Sequence, residues 1–413
     1  MKFEGNLCYC SPAHGGWGII RVAAMIPESY LLFVCPAACF RHGALGAIQH
    51  GYKNRISYLY ISQEDIVEGY DALIEEGIDE LLKRTKEHIR LLFVYVSCLD
   101  DFIGTDLDAV LEKAGRKYPE VVFRPGHMNP IASSTKLPPA VTTFDSMLAA
   151  LPVHEKTDEN VSLYGNFVGI PEDNELIKVL NNAGKKVRQI SNCGSFDEYR
   201  EMSLSEYGII LKPLAAMGVS NLEKKTGAVH VTMYASYDID TVKNDYSGIE
   251  KMLGISIIPE IGSAEEAARS AIEKAKEAVG DLPVYVSDSA TIFPCRLALT
   301  LLRYGFNVKR IYAVDLVNPD QDAIKALQEN YPEVEIIQAD HPKMNIREKN
   351  ESYALSIGEE AAYLSNSRFV ADISADEGML GFQGIKILMD TLAESVKEKA
   401  DIRKLIEEYG GIV

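Results

Sequence analysis

The chain has 413 residues, more than one ordinary hydrophobic core organises, so two or three domains are expected. Hydrophobic residues make up 47% and charged residues 25%, a globular balance, and no segment has the unbroken apolar length of a bilayer span. A formal net charge of −18 argues against nucleic-acid binding, and residues 1–6 carry no apolar signal core, so no nucleic acid, no membrane and a cytoplasmic location are expected.

In chain order, strand-like and helix-like segments alternate almost throughout. Residues 30–34 and 91–96 read as buried strands, and 106–118 as a helix with Leu107, Val110, Leu111 and Ala114 on one face. Residues 128–143, rich in Pro, Ser and Thr, read as a connecting loop. The pattern restarts with a strand over 161–164 and a helix over 173–183 stopped by Gly184, then strands at 186–190, 208–211 and 229–233. After an Ala- and Glu-rich helix over 264–279 it restarts again, with strands at 284–287, 308–314, 334–338 and 369–373. Continuous apolar strands between amphipathic helices imply parallel sheets covered on both faces. The expected fold class is α/β, three Rossmann-like domains over residues 1–150, 151–280 and 281–413. Ligands of such sheets sit outside the carboxyl ends of strands, where Cys98, Gly165-Asn166 and Ser287-Asp288 fall. There is no G-x-G-x-x-G and no Walker A sequence, so nucleotide hydrolysis would need another protein.

Five of the seven cysteines, Cys8, Cys10, Cys35, Cys39 and Cys98, lie in the first quarter; Cys193 and Cys295 stand alone. In a cytoplasmic chain clustered thiols point to metal or redox chemistry rather than disulfides. Each early group reads as a loop with small residues nearby: Cys8-Tyr9-Cys10-Ser11-Pro12-Ala13-His14-Gly15-Gly16, then Cys35-Pro36-Ala37-Ala38-Cys39 just past a strand, then Cys98 just past another. Thiolates converging from several loops are what an iron–sulfur cluster needs, but the spacing alone is equally that of cysteines packed in an α/β core. Cys295 reads as core and Cys193 as a small residue at a strand end. His14, His42, His50 and His127 sit in the same glycine-containing stretches, His42 beside the second cysteine group. Arg124 and His127 read as lying after a strand, in a solvated turn or as holders of an anion.

Four motifs, in order, resemble the nitrogenase component 1 superfamily. Cys98-Leu99-Asp100-Asp101-Phe102-Ile103-Gly104-Thr105-Asp106 is similar to its third cysteine loop, and Glu64-Asp65-Ile66-Val67-Glu68-Gly69 to the segment before it. Leu163-Tyr164-Gly165-Asn166-Phe167 with Asp173-Asn174-Glu175-Leu176 resembles the opening of the second domain, and Gly381-Phe382-Gln383-Gly384 the closing glycine motif of the third. The resemblance spans nearly the whole chain. It implies that Cys10 and Cys98 are the first and third cluster ligands. The second is Cys39 by the preceding strand, which we favour, or Cys35 by its distance from Cys10; Cys35 is otherwise a candidate fourth ligand. The expected cofactor is an iron–sulfur cluster, 4Fe-4S or P-cluster-like. The cysteine and histidine that hold nitrogenase's iron–molybdenum cofactor align near Leu211 and Ala371, so that cofactor and dinitrogen reduction are not expected. The resemblance implies an oxidoreductase component that receives electrons from a separate P-loop iron–sulfur ATPase reductase and reduces a small or tetrapyrrole-like substrate. The alternative is a non-catalytic scaffold for metallocluster assembly. A homodimer, or a heterotetramer with a related chain, is the expected assembly.

Overall fold

A computed structural model describes residues 7–11, 18–128, 138–314, 316, 318–345 and 350–409. Thirteen strands in the described residues form three parallel sheets flanked by helices, an α/β fold. The strands are β1 (Ser29–Cys35), β2 (Ile56–Tyr60), β3 (Leu91–Ser97), β4 (Val122–Met128), β5 (Asp158–Tyr164), β6 (Val187–Gln189), β7 (Ser205–Ile210), β8 (Val229–Thr232), β9 (Val284–Ser287), β10 (Val308–Ala313), β11 (Glu335–Gln338), β12 (Ser352–Ile357) and β13 (Ser367–Ala371). The sheet orders are β2-β1-β3-β4, β6-β5-β7-β8 and β11-β10-β9-β12-β13. Among the described residues no helix is long and apolar enough to cross a membrane.

The chain divides into two compact units. One comprises residues 16–169 and 184–234 and contains the first two sheets. The other comprises residues 1–15, 170–183 and 235–413 and contains the third.

In the first of these units β1 and β3 are buried along their whole length, which is why they read as continuous apolar runs. One face packs on the helix Asp71–Arg84 through Ile74 and Ile78 and on Leu107–Lys117 through the four expected residues. Asp106 caps the latter helix, its Oδ1 accepting from the Ala109 N–H at 3.0 Å. The sequence reading of Arg124 and His127 is corrected here: both lie inside β4, not after a strand. β4 is an edge strand, where Pro125 costs no ladder bond, and Gly126 leaves room for the Tyr95 ring, into which a Cβ would run. Arg124 Nε donates to the Ser146 carbonyl at 3.1 Å. The expected loop also shortens from its far end, because Pro139–Ala149 is a helix. Residues 129–137 of that expected loop lie outside the described residues.

In the other unit the third sheet carries a central strand, β12, that the sequence reading lacks. Its Ser356 is buried against Ser365 and Ser367, so polar residues fill positions where apolar ones would announce a buried strand.

Candidate functional site

Parallel pairing of β1 with β3 sets Val34 level with Val96. The next residues, Cys35 on β1 and Ser97-Cys98 at the end of β3, therefore leave the sheet at the same edge. This is the carboxyl edge, where open α/β sheets bind ligands. Cys35 is the last residue of β1, and Cys39 sits in the first turn of the helix Ala37–Gln49. The expectation that each thiol lies in a loop is thus corrected. Pro36 starts that helix at once, its carbonyl taking the N–H groups of Cys39 and Phe40, so of these three only Cys98 lies in a turn, while Cys8 and Cys10 lie outside any helix or strand as expected. His42 falls on the same helix and His50 caps its end; His14 lies outside the described residues.

Cys39 is the electrostatic neighbour of both Cys35 and Cys98. Burial pushes the Cys35 thiol up to about 12, with the Cys39 sulfur adding to it. Burial likewise raises Cys39, helped by the charge of Cys98. The thiolates of Cys35 and Cys39 are therefore disfavoured while nothing positive lies beside them, and a cation bound there would reverse the sign.

Two of the four sequence motifs meet at this edge. Tyr70, just after Gly69, is buried and donates its hydroxyl to Asp100 Oδ1 at 2.7 Å. Asp100 opens the short helix Asp100–Ile103 two residues after Cys98, and Gly104 ends it in the left-handed region. The Glu64–Gly69 segment is itself a helix, Gln63–Glu68, closed by a capping box between Ser62 and Asp65. That cap and the Tyr70–Asp100 bond fix the turn that presents Cys98.

Cys8 and Cys10 are exposed and belong to the other unit. Between them the Tyr9 N–H donates to the Asp340 carbonyl at 2.6 Å, and the Asp340 side chain, bonded to the Cys8 thiol, raises it. Cys295 is core: it is buried, and its N–H donates to Asp320 Oδ2 at 2.9 Å. Cys193 is half-buried, with Sγ 3.6 Å from the Gln189 carbonyl. Leu211 and Ala371, both buried, offer no donor atom. Among the described residues no three of the His, Cys, Asp and Glu side chains are grouped to hold a single metal ion.

The remaining two motifs also meet, within the unit of the third sheet. Glu175 Oε1 accepts from the Tyr246 hydroxyl at 2.7 Å and from the N–H of Phe382 at 2.5 Å. Asn174 Nδ2 donates to the Leu380 carbonyl and to Gln383 Oε1, each at 3.1 Å. Glu175 thus supplies the negative charge at the start of the helix Gly381–Ser395. Gly381, at φ 64°, is glycine because any Cβ would strike that carboxylate and the Tyr246 hydroxyl. Nothing local links the two motifs: an acid ten residues past a glycine-bearing strand end carries no mark of a cap for a helix 200 residues on.

A family model described as nitrogenase component 1 type oxidoreductase matches residues 15–397. The chain is 25% identical over 243 residues to the nitrogenase iron–molybdenum cofactor biosynthesis protein NifE of Clostridium pasteurianum, covering 55% of this chain and 51% of that protein. It is 23% identical over 195 residues to NifE of Rippkaea orientalis, covering 46% of this chain and 39% of that one. The aligned region thus spans about half of the first of these curated relatives and less of the second. Among solved structures, nitrogenase Cp1 at pH 6.5 superposes with a TM-score of 0.73 at 14% identity, covering 96% of this chain and 95% of that one. Cp1 at pH 5 gives 0.64 at 12% identity, with 96% and 90% covered. At such identities the structural match speaks for the fold, and the family match covers most of the chain: the protein belongs to the nitrogenase component 1 type oxidoreductase family.

Proposed function

We propose that the chain is an iron–sulfur component that takes electrons from a separate ATP-dependent reductase and passes them to a small or tetrapyrrole-like substrate. The observation that carries this is the run of thiols Cys35, Cys39 and Cys98 along the carboxyl edge of adjacent strands. Soft thiolates on a strand end, a helix turn and a tight turn suit a polynuclear cluster better than a single ion, and Cys10 is the further ligand the family resemblance implies. A bound cluster would supply one-electron chemistry. The chain's own part is to present the thiols, bury Cys35 and hold the Cys98 turn through Tyr70 and Asp100. Phe102, largely exposed four residues after Cys98, gives a reductase an apolar contact beside that turn.

A second reading is a scaffold on which a metallocluster is assembled, in a homodimer or a heterotetramer with a related chain. It is favoured by the curated relatives, both described as cofactor biosynthesis proteins. The two readings share the cluster and part at turnover. The chain, purified without oxygen, is mixed with its cognate reductase with and without magnesium ATP, while cluster reduction and product formation are followed. ATP-dependent cluster reduction with product supports the first reading. Reduction with no product, and transfer of iron to an acceptor protein, supports the second. Full-rate reduction by a simple ferredoxin without ATP removes the ATPase from both.

A further inference from the structure

The third sheet reverses its strand order between β9 and β12: β10 and β11 lie to one side, β13 to the other. The loops leaving β9 and β12 diverge there, at the carboxyl edge. Gly358, at φ 91°, follows β12, and a Cβ on it would strike the hydroxyls of Ser287 and Ser289. Those hydroxyls are 2.7 Å apart, so the loop lies on a hydrogen-bonded pair. Immediately after come Glu359 and Glu360, only 6% and 1% exposed. Oε2 of Glu359 is sealed from solvent with no hydrogen-bond partner.

The groups around Glu359 come from every element packed on its helix. From the β9 side Ser289 donates to it; Asp288 spends Oδ2 on the Val314 N–H at 2.7 Å. Glu360 beside it and Asp372 from the end of β13 are charges of its own sign. Tyr409, after the helix Ile402–Glu408, gives its hydroxyl to Asp372 Oδ1 at 2.6 Å. From β10, Arg310 reaches Glu335 at 3.1 Å and lies over the Tyr285 ring. Among the described residues the charges that act most on Glu359 are those of Glu360 and Asp372, both of its own sign. A buried carboxylate with an open acceptor and like charges beside it is costly as an anion. A proton can reach a sealed oxygen where a metal ion cannot.

We propose that Glu359 holds a proton in the resting protein and is the proton store of this edge. Its use rests on the reductase reading. Each electron that reaches an acceptor bound at this edge, its source being the external iron–sulfur reductase, calls for one proton. The Glu359 O–H bond breaks, its proton goes to Ser289, the Ser289–Ser287 pair gives one up to the acceptor, and Glu359 is left as carboxylate. It recovers its proton from solvent.

Burial, and then Glu360 and Asp372, place the Glu359 carboxyl at about 7 against an ordinary value of 4.5. A raised acid binds its proton more tightly folded than unfolded, so stability should fall as pH rises through the window from 4.5 to about 7. The test uses the full chain and its Glu359→Gln and Glu359→Asp variants. Infrared spectra between about pH 5 and about pH 9 should show a protonated carboxyl C=O band in the wild type that titrates away, and that Glu359→Gln lacks. Glu359→Gln should also flatten the fall in stability with pH. With the reductase and magnesium ATP, Glu359→Gln should lower product formation roughly a hundredfold, leave cluster reduction unchanged, and be partly rescued by Glu359→Asp. A wild type without the band at low pH, or a band that survives Glu359→Gln, overturns the proton site. A wild type that shows the band but forms no product overturns the reductase reading, and delivery with it.

Discussion

The carboxyl edges of the first and third sheets carry opposite chemistry on the same backbone plan. At the first, β1 and β3 end in thiols, and burial disfavours the thiolates of Cys35 and Cys39 until something positive arrives. At the third, β9 and β12 end in hydroxyls and buried carboxyls, where the stabilising guest is a proton. The parallel sheet decides where ligands go; the two or three residues after each strand decide what they are. The comparison also separates how each edge is built. The Cys98 turn is held by a bond from Tyr70, 28 residues earlier, whereas the unit of the third sheet is closed by Glu175 and Gly381, over 200 residues apart.

The sharpest way to break the comparison is to remove single thiols. Cys98→Ala and Cys10→Ala should lose most of the iron and acid-labile sulfide of anaerobically purified protein, and Cys295→Ala should lose none. Replacing Cys35 and Cys39 in turn decides the second ligand: the one whose loss abolishes the cluster holds it. A colourless, iron-free wild type after reconstitution would leave the first edge a packed core.

The next effect is one of rate. In cluster-free protein Cys35 should be the last of the three thiols to be alkylated, because its thiol is pushed up to about 12. Its alkylation should rise about tenfold per pH unit across the mildly alkaline range, since only the thiolate reacts. Cys35 reacting as fast as Cys39 would show that this edge opens readily to solvent.

At the third sheet the expected effect is on stability. Glu175→Ala leaves the Tyr246 hydroxyl and the Phe382 N–H buried without their acceptor, which should cost roughly 3 kcal/mol in urea unfolding. Iron content per folded chain should not change. Gly381→Ala should destabilise as well, through its left-handed φ and the clash with the same carboxylate.

Much of this was legible in the sequence where burial is uniform. The apolar runs of β1 and β3, the amphipathic helix after Asp106 and the stop at Gly184 follow from local pattern alone. The cysteines are legible as residues, but Cys39 passes from loop to helix because Pro36 can begin one. β4 hides behind Pro125 and Gly126, which only an edge position and the Tyr95 ring explain. Glu359 and Glu360 carry no local mark of burial, because acids in a first helical turn are ordinarily solvated. That they are buried is decided by packing from β9, β13 and the helix 402–408, which no window of sequence contains.

The smallest expected effect tests whether the thiol edge is independent of the opposite end of the same strand. Glu28 precedes β1 in the left-handed region, at φ 57°, and its carbonyl accepts from the Arg90 and Leu91 N–H groups. Its Oε1 lies 3.0 Å from His88 Nδ1, and its Oε2 accepts from the Phe196 N–H at 3.0 Å. Burial alone would raise this carboxyl, but the Phe196 N–H, His88 and Arg90 outweigh it and the net shift is downward. A lowered acid adds stability above its unfolded value of about 4.5, and the contribution is lost as pH falls through the folded value. Glu28→Gln keeps the shape and one acceptor, so it should cost about 1 kcal/mol at neutral pH, and less as the carboxyl protonates in acid. The iron content should match the wild type, because the strand that separates Glu28 from Cys35 is rigid and fully buried. Loss of iron in this variant at a pH where it stays folded would mean that the two ends of β1 act as one site.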